Sequence, residues 1–254
     1  MPRPKGTCIY CGTFGPLHMD HIPPGNLFEP GQSSNLVTVP CCHRCNNTAS
    51  KDDQYFFVCL ALREEAKQKA EHDRLYAKAM RTLKRREASI FRQSFTSRIR
   101  FVQPVTPTGV ILPRALSIPI DGLRVIEVVI RIARGLYFHE TGNRLANTHR
   151  VIVYDELALL NALRNVAPGR AQDLSPIPNL IREVESTPRK TIGKIFSYNW
   201  ALNPVNAANS MWLLDFFLGF AFSALHSPAA TTFFHLHPLL ELLASIQVKL
   251  ERRY

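Results

Sequence analysis

The chain has 254 residues, 46% of them hydrophobic, a formal charge of +11 and a pI near 9.7. That apolar content excludes wholesale disorder, and the length suits one large domain or a small module joined to a medium one. The charge favours an anionic partner, and nucleic acid is the commonest for a basic protein.

Six cysteines do not make a disulfide scaffold at this length. Four of them form two C-x-x-C pairs, which in a reducing compartment points to metal. The N-terminus, "MPRPKGTCIYCG", has no apolar core, so no secretory signal is expected. The most apolar stretch, "MWLLDFFLGFAFSAL" at 211–225, carries Asp215. It is shorter than the roughly 20 residues that span a bilayer, so it predicts buried core, no membrane association and a cytoplasmic location.

In chain order, residues 1–50 are rich in Cys, Pro, Gly and Asn, as in a small module held by metal. Residues 51–100 hold many good helix formers and predict one long helix or two joined ones, starting near Ser50 or Asp52. Four prolines at 103–120 predict a linker with one short strand. Val125, Val128, Val129, Ile132 and Leu136 recur at helical spacing, with Gly135 or Gly142 as the helix end. "HRVIVYDE" at 149–156 predicts a strand, and "ELALLNALRNV" a short helix. "IGKIFSYNW" and "SMWLLDFFLGFAFSAL" predict strands, with a helix open for the second. "HPLLELLASIQVKLERRY" predicts a final amphipathic helix. The expected class is α+β, divided into a metal-clasped module at 1–55, a basic helical segment at 56–102 and an α+β domain of unknown function at 103–254.

Cys8 and Cys11 form one C-x-x-C turn, and Cys42 and Cys45 the other. Each turn aims two thiolates at one point, and two such turns complete a tetrahedral Zn²⁺ site. Cys41 and His43 are alternative ligands, although two matching knuckles are simpler. Cys59 lies on an apolar helical stretch and predicts a core residue.

Between the knuckles stand "DHIPP" at 20–24 and "NL" at 35–36, and Cys45 is followed by Asn46. The series C-x-x-C, D-H-I-x-P, N-L, C-x-x-C-N resembles the zinc-clasped branch of the HNH endonuclease family, over about residues 8–53. The resemblance implies a ββα-metal fold and phosphodiester hydrolysis. On it, His21 is the general base, Asn35 orients His21, and Asp20 with Asn46 holds a catalytic Mg²⁺ or Mn²⁺. Two positions depart from the pattern: Asn46 stands where the last His of the family is found, and Ala49 where a Lys is common.

From Arg74 to Arg100 nine bases face a single acid, Glu87. Arg74, Lys78, Arg81 and Arg85 share one face of an ideal helix, so they are candidate nucleic-acid contacts; the alternative is a solvated helix face. No phosphate-cradling Gly loop and no G-x-S-x-G elbow is present, and His235 with His237 reads as capping or core rather than metal. The expected activity is metal-dependent DNA cleavage, with RNA an open alternative substrate and phage defence one setting for it. The competing expectation is a zinc-bound nucleic-acid-binding module without catalysis. The segment beyond 103 is expected to select the substrate, engage a protein partner or regulate the module.

Overall fold

The structure is a computed structural model. It describes residues 3–29, 36–63, 71–106, 108–118, 120–155, 182–203, 209–216 and 220–228. Asn35, the helix expected after Asp155, His235, His237 and the expected C-terminal helix lie outside the described residues.

The chain is α+β. It opens with strand β1 (Lys5–Thr7), strand β2 (Phe14–Ile22) and strand β3 (Val37–Cys42), which form an antiparallel sheet in that order. Asp20 lies opposite Val39, and Ile22 opposite Val37. Side chains alternate across a strand, so Asp20, Ile22 and Val39 point inward together, whereas Met19 and His21 point outward. β1 covers β2 only as far as Pro16, and from His18 onward that edge has no strand partner among the described residues. β3 is an edge strand, which is where Pro40, lacking an N–H, can be accommodated.

Helix α1 (His43–Ala61) follows β3 without a loop. It starts several residues before the expected Ser50 or Asp52, because the second knuckle itself supplies the cap. The Cys42 Sγ accepts from the Cys45 amide at 3.5 Å, satisfying one of the free N–H groups of the first turn. The expected basic helical segment holds α2 (His72–Lys84) and α3 (Ser89–Thr96), with a 3-10 turn at Arg86–Ala88 between them. The α2 chain turns extended at Arg85.

The proline-rich segment contains two strands rather than one, β4 (Arg100–Val102) and β5 (Ala115–Ser117), paired with each other. Helix α4 (Gly122–Thr141) is capped by Asp121 and ends at Gly142, which has a φ of 69°. Gly135 lies inside that helix with another role. A Cβ there would stand 2.6 Å from Cγ1 of the fully buried Ile22, so α4 touches β2 only because that side chain is missing.

Five strands form the second sheet: β6 (His149–Asp155), β7 (Lys190–Ile192), β8 (Phe196–Leu202), β9 (Ser210–Phe216) and β10 (Phe220–Pro228), ordered β6-β10-β9-β8-β7. The apolar stretch at 211–225 resolves as strands. Trp212, Leu214 and Phe216 are buried, whereas Leu213 and Asp215 are half-exposed, a period of two. Trp200 and Trp212 are cross-strand partners with ring centroids 5.1 Å apart. One apolar cluster runs from Ile9 and Ile22 through α1 and α4 to Trp212 and Phe216, and Phe56 of α1 meets Phe216 edge-on at 5.1 Å. The core is thus continuous across the boundaries expected at 55 and 102. No described helix is long and apolar enough to cross a membrane.

Gly135→Val is expected to destabilise the fold by about 2–3 kcal/mol, as overpacking of a filled core does. Adding Ile22→Ala should return part of the loss, and a urea-denaturation double-mutant cycle measures the coupling.

Candidate metal centre and active site

The two knuckles meet. The sulfurs of Cys8, Cys11, Cys42 and Cys45 all lie within 4.8 Å of one another, and Cys11 Sγ is 3.7 Å from Cys42 Sγ. A tetrahedron with metal–sulfur bonds of about 2.3 Å has edges of about 3.8 Å, so four thiolates at this spacing suit zinc. The first knuckle is tied to the sheet by the Ile9 amide, which donates to the Pro40 carbonyl at 3.1 Å, and its own turn closes through Gly12 N–H to Cys8 O at 2.9 Å. The residues present therefore can hold one metal ion and are compatible with structural zinc.

The open alternatives at this site fall elsewhere. Cys41 is buried on the inner face of β3, and burial first, then the nearby Asp20, pushes its thiol up to about 12. His43 is exposed, with its Nε2 3.0 Å from the Asn47 amide and its ring 5.3 Å from the His18 ring. Cys59 is a core residue, and burial pushes its thiol up to about 12.

Asp20 is the buried member of the D-H pair, only 7% exposed. Its Oδ2 accepts from the Tyr10 hydroxyl at 2.7 Å and lies 3.5 Å from Arg131 Nε. The same guanidinium reaches Asp53 through Nη2 at 2.6 Å. Arg131 is itself 9% exposed, so a single buried cation stands between two carboxylates contributed by β2 and α1. Burial raises the Asp53 carboxyl, and Arg131 opposes that rise. Burial works against the Arg131 charge, but Asp53 and then Asp20 outweigh it, and the guanidinium is held more firmly protonated. Burial, then Asp20, raises the Tyr10 hydroxyl.

His21 is exposed on the outer face, with its ring 3.5 Å from the place a Cβ on Gly25 would take. Asp20 and His21 thus lie on the two faces of β2, beside the edge that has no strand partner among the described residues. Asn46 is half-buried in the first turn of α1, immediately after Cys45. A cleft of about 310 Å³ opens between α1 and α4, lined among others by Tyr10, Cys45, Thr48, Asp52, Arg131 and Arg134. The carboxylate of Asp20 and the amide oxygen of Asn46 are hard donors of the type Mg²⁺ and Mn²⁺ take. The place between Asp20 and Asp53 is taken by the Arg131 guanidinium.

The basic stripe is not one continuous face. Arg74 and Arg81 are exposed on α2. Lys78 is half-buried, donates to the Phe28 carbonyl at 2.7 Å and lies over the Phe57 ring. Arg85 lies past the helix end, in extended backbone. Tyr10, Asp53 and Arg131 are the site residues that motif spacing does not reveal. The available signal is an arginine within the apolar stripe of α4, between Val128 and Ile132.

No family model matches the chain, and no curated protein and no solved structure matches it.

Elemental analysis of the purified chain is expected to give one zinc per molecule. Cys42→Ser should lose it together with the fold of residues 3–61, since zinc binding to isolated modules supplies on the order of 10 kcal/mol. Cys41→Ala should keep it. Arg131→Met is expected to cost about 3–5 kcal/mol in urea denaturation, because it strands two buried carboxylates. Adding Asp20→Asn and Asp53→Asn should recover most of that loss.

Proposed function

We propose that this chain is a metal-dependent endonuclease of the HNH type, hydrolysing phosphodiester bonds in DNA, with RNA as the alternative substrate. The observation that supports the reading most is a strand–strand–helix unit, β2–β3–α1, closed by four cysteines, with Asp20 and His21 on a first strand whose outer edge has no strand partner there among the described residues. His21 is exposed beside that edge and open to a phosphate, whereas Asp20 is reached only by opening its contact with Arg131. Zinc at Cys8, Cys11, Cys42 and Cys45 is structural on this reading.

His21 is the general base. Its imidazole takes a proton from a water molecule as the water oxygen attacks phosphorus, and the bond to the 3′-oxygen breaks on the opposite side. Asn35 orients the imidazole. Asp20 and Asn46 would hold a divalent ion, which would supply electrostatic stabilisation of the developing negative charge. Exposed bases such as Arg74 and Arg81 attract the substrate, at an affinity that falls with salt. The five-stranded sheet region selects the substrate or a protein partner.

The Arg131 contacts favour a second reading. A guanidinium already neutralises Asp20, so a chain in which it never leaves would bind nucleic acid without cutting it.

Supercoiled plasmid incubated with the zinc-loaded chain and Mg²⁺ or Mn²⁺ is expected to be nicked or linearised. His21→Ala should lower that rate by at least about a hundredfold, the low end of general-base catalysis, while zinc content stays at one per chain. Undiminished cutting by His21→Ala would remove the base assignment. Salt-sensitive DNA binding without cutting in any divalent ion would select the second reading.

A further inference from the structure

The segment between α3 and α4 builds a two-stranded hairpin. Arg100, Phe101 and Val102 of β4 face Ser117, Leu116 and Ala115 of β5. Toward the tip, Val105 bridges Ile111, one residue out of that register. The turn closes through Thr106 N–H to Val110 O at 2.8 Å and Gly109 N–H to Thr106 O at 2.9 Å, with Gly109 at a φ of 86°.

The surface of this hairpin is unusual in two ways. Phe101 and Leu116, direct cross-strand partners, are 68% and 62% exposed, and the guanidinium of Arg114 lies over the Phe101 ring at 5.6 Å. Val105, Val110 and Ile111 are exposed beside them. Apolar side chains brought so far into water mark a contact surface. The second feature is charge. Residues 88–120 contain no Asp or Glu, and Arg98, Arg100 and Arg114 are all exposed there.

These observations select among partners. A second copy placed on the same patch by a two-fold axis would bring Arg100 and Arg114 against themselves, with no acid in the patch to pair them. An anionic polymer that also carries flat apolar faces satisfies both features. A two-stranded ribbon fits the major groove of a duplex, and exposed aromatic and apolar side chains insert at base steps or stack on unpaired bases.

We propose that the Arg100–Ser117 ribbon is a nucleic-acid-binding arm, in which Arg100 and Arg114 hold phosphates and Phe101 with Leu116 packs against bases. It rests on nucleic acid being the substrate class proposed above, but not on cleavage. The arm extends substrate contact beyond the unpaired edge of β2 and lies outside the α2 stripe.

The test uses the full zinc-loaded chain, a fluorescein-labelled duplex and a labelled single strand, with anisotropy read across a salt series without added divalent ions. Arg100→Ser with Arg114→Ser is expected to weaken binding at least about fivefold and to reduce the slope of log affinity against log salt by about 1.8 on the duplex and about 1.4 on the single strand. Phe101→Ser with Leu116→Ser is expected to weaken binding at least about fivefold at an unchanged slope. Both pairs are exposed, and unchanged zinc content and circular dichroism confirm that the variants fold. Wild-type affinity in both variants would overturn the arm, as would a chain that binds neither probe. Competition by poly-glutamate as effective as by DNA of equal charge would assign the ribbon to an acidic polypeptide instead. A dimer that the Phe101/Leu116 variant converts to monomer at unchanged DNA affinity would assign it to a second copy. Plasmid cutting decides the endonuclease reading separately, since intact cleavage with unaffected binding by these variants sinks the arm alone.

Discussion

The fold of the N-terminal unit depends on four sulfur atoms brought to one point. Cys8 and Cys11 come from a loop between β1 and β2, and Cys42 and Cys45 from the junction of β3 with α1. The first turns of α1 are polar and mostly exposed, and the helix becomes fully buried only from Tyr55 onward, so at that end the cluster is the main tie. The second knuckle also starts the helix, through the Cys42 sulfur that caps its first turn. One cluster therefore sets where β3 stops, where α1 starts and how the hairpin lies on the helix.

Inside that frame a charge is buried, and its energetics are of another kind. Asp20 and Asp53 would be costly apart from a cation, and Arg131 supplies one from α4, across the interface with the rest of the molecule. A buried pair of this sort adds little net stability over apolar packing, yet losing one partner is expensive. Its effect is to tie the position of α4 to β2 and α1 through one shared cation. The close approach of Gly135 to Ile22, one helical turn from Arg131, fixes the same contact by shape. The candidate active edge is thus supported from behind by the helix that also contacts the five-stranded sheet.

Much of this was legible in the sequence where local chemistry decides. The paired C-x-x-C turns pointed to the cluster, the Val125–Leu136 spacing to α4, and "HRVIVYDE" to β6. Other features were hidden for physical reasons. The start of α1 is written in Asn, Thr and Ser, which read as loop until the cap at Cys42 is known. The basic stripe assumed an unbroken helix, whereas α2 ends at Lys84 and Lys78 has its ammonium on the Phe28 carbonyl. Prolines concealed the second of the strands β4 and β5, because a ribbon stabilised mainly by its own cross-strand pairs leaves little periodicity to detect. The Asp20–Arg131–Asp53 contact joins residues 78 positions apart or more, and no local pattern encodes that pairing.

Zinc K-edge absorption spectroscopy on the purified chain tests the central constraint most directly. The structure predicts a shell of four sulfurs at about 2.3 Å, with no nitrogen or oxygen scatterer. A mixed sulfur–nitrogen shell, or a chain that folds fully without metal, would contradict the account and leave β2, β3 and α1 without the point that joins them.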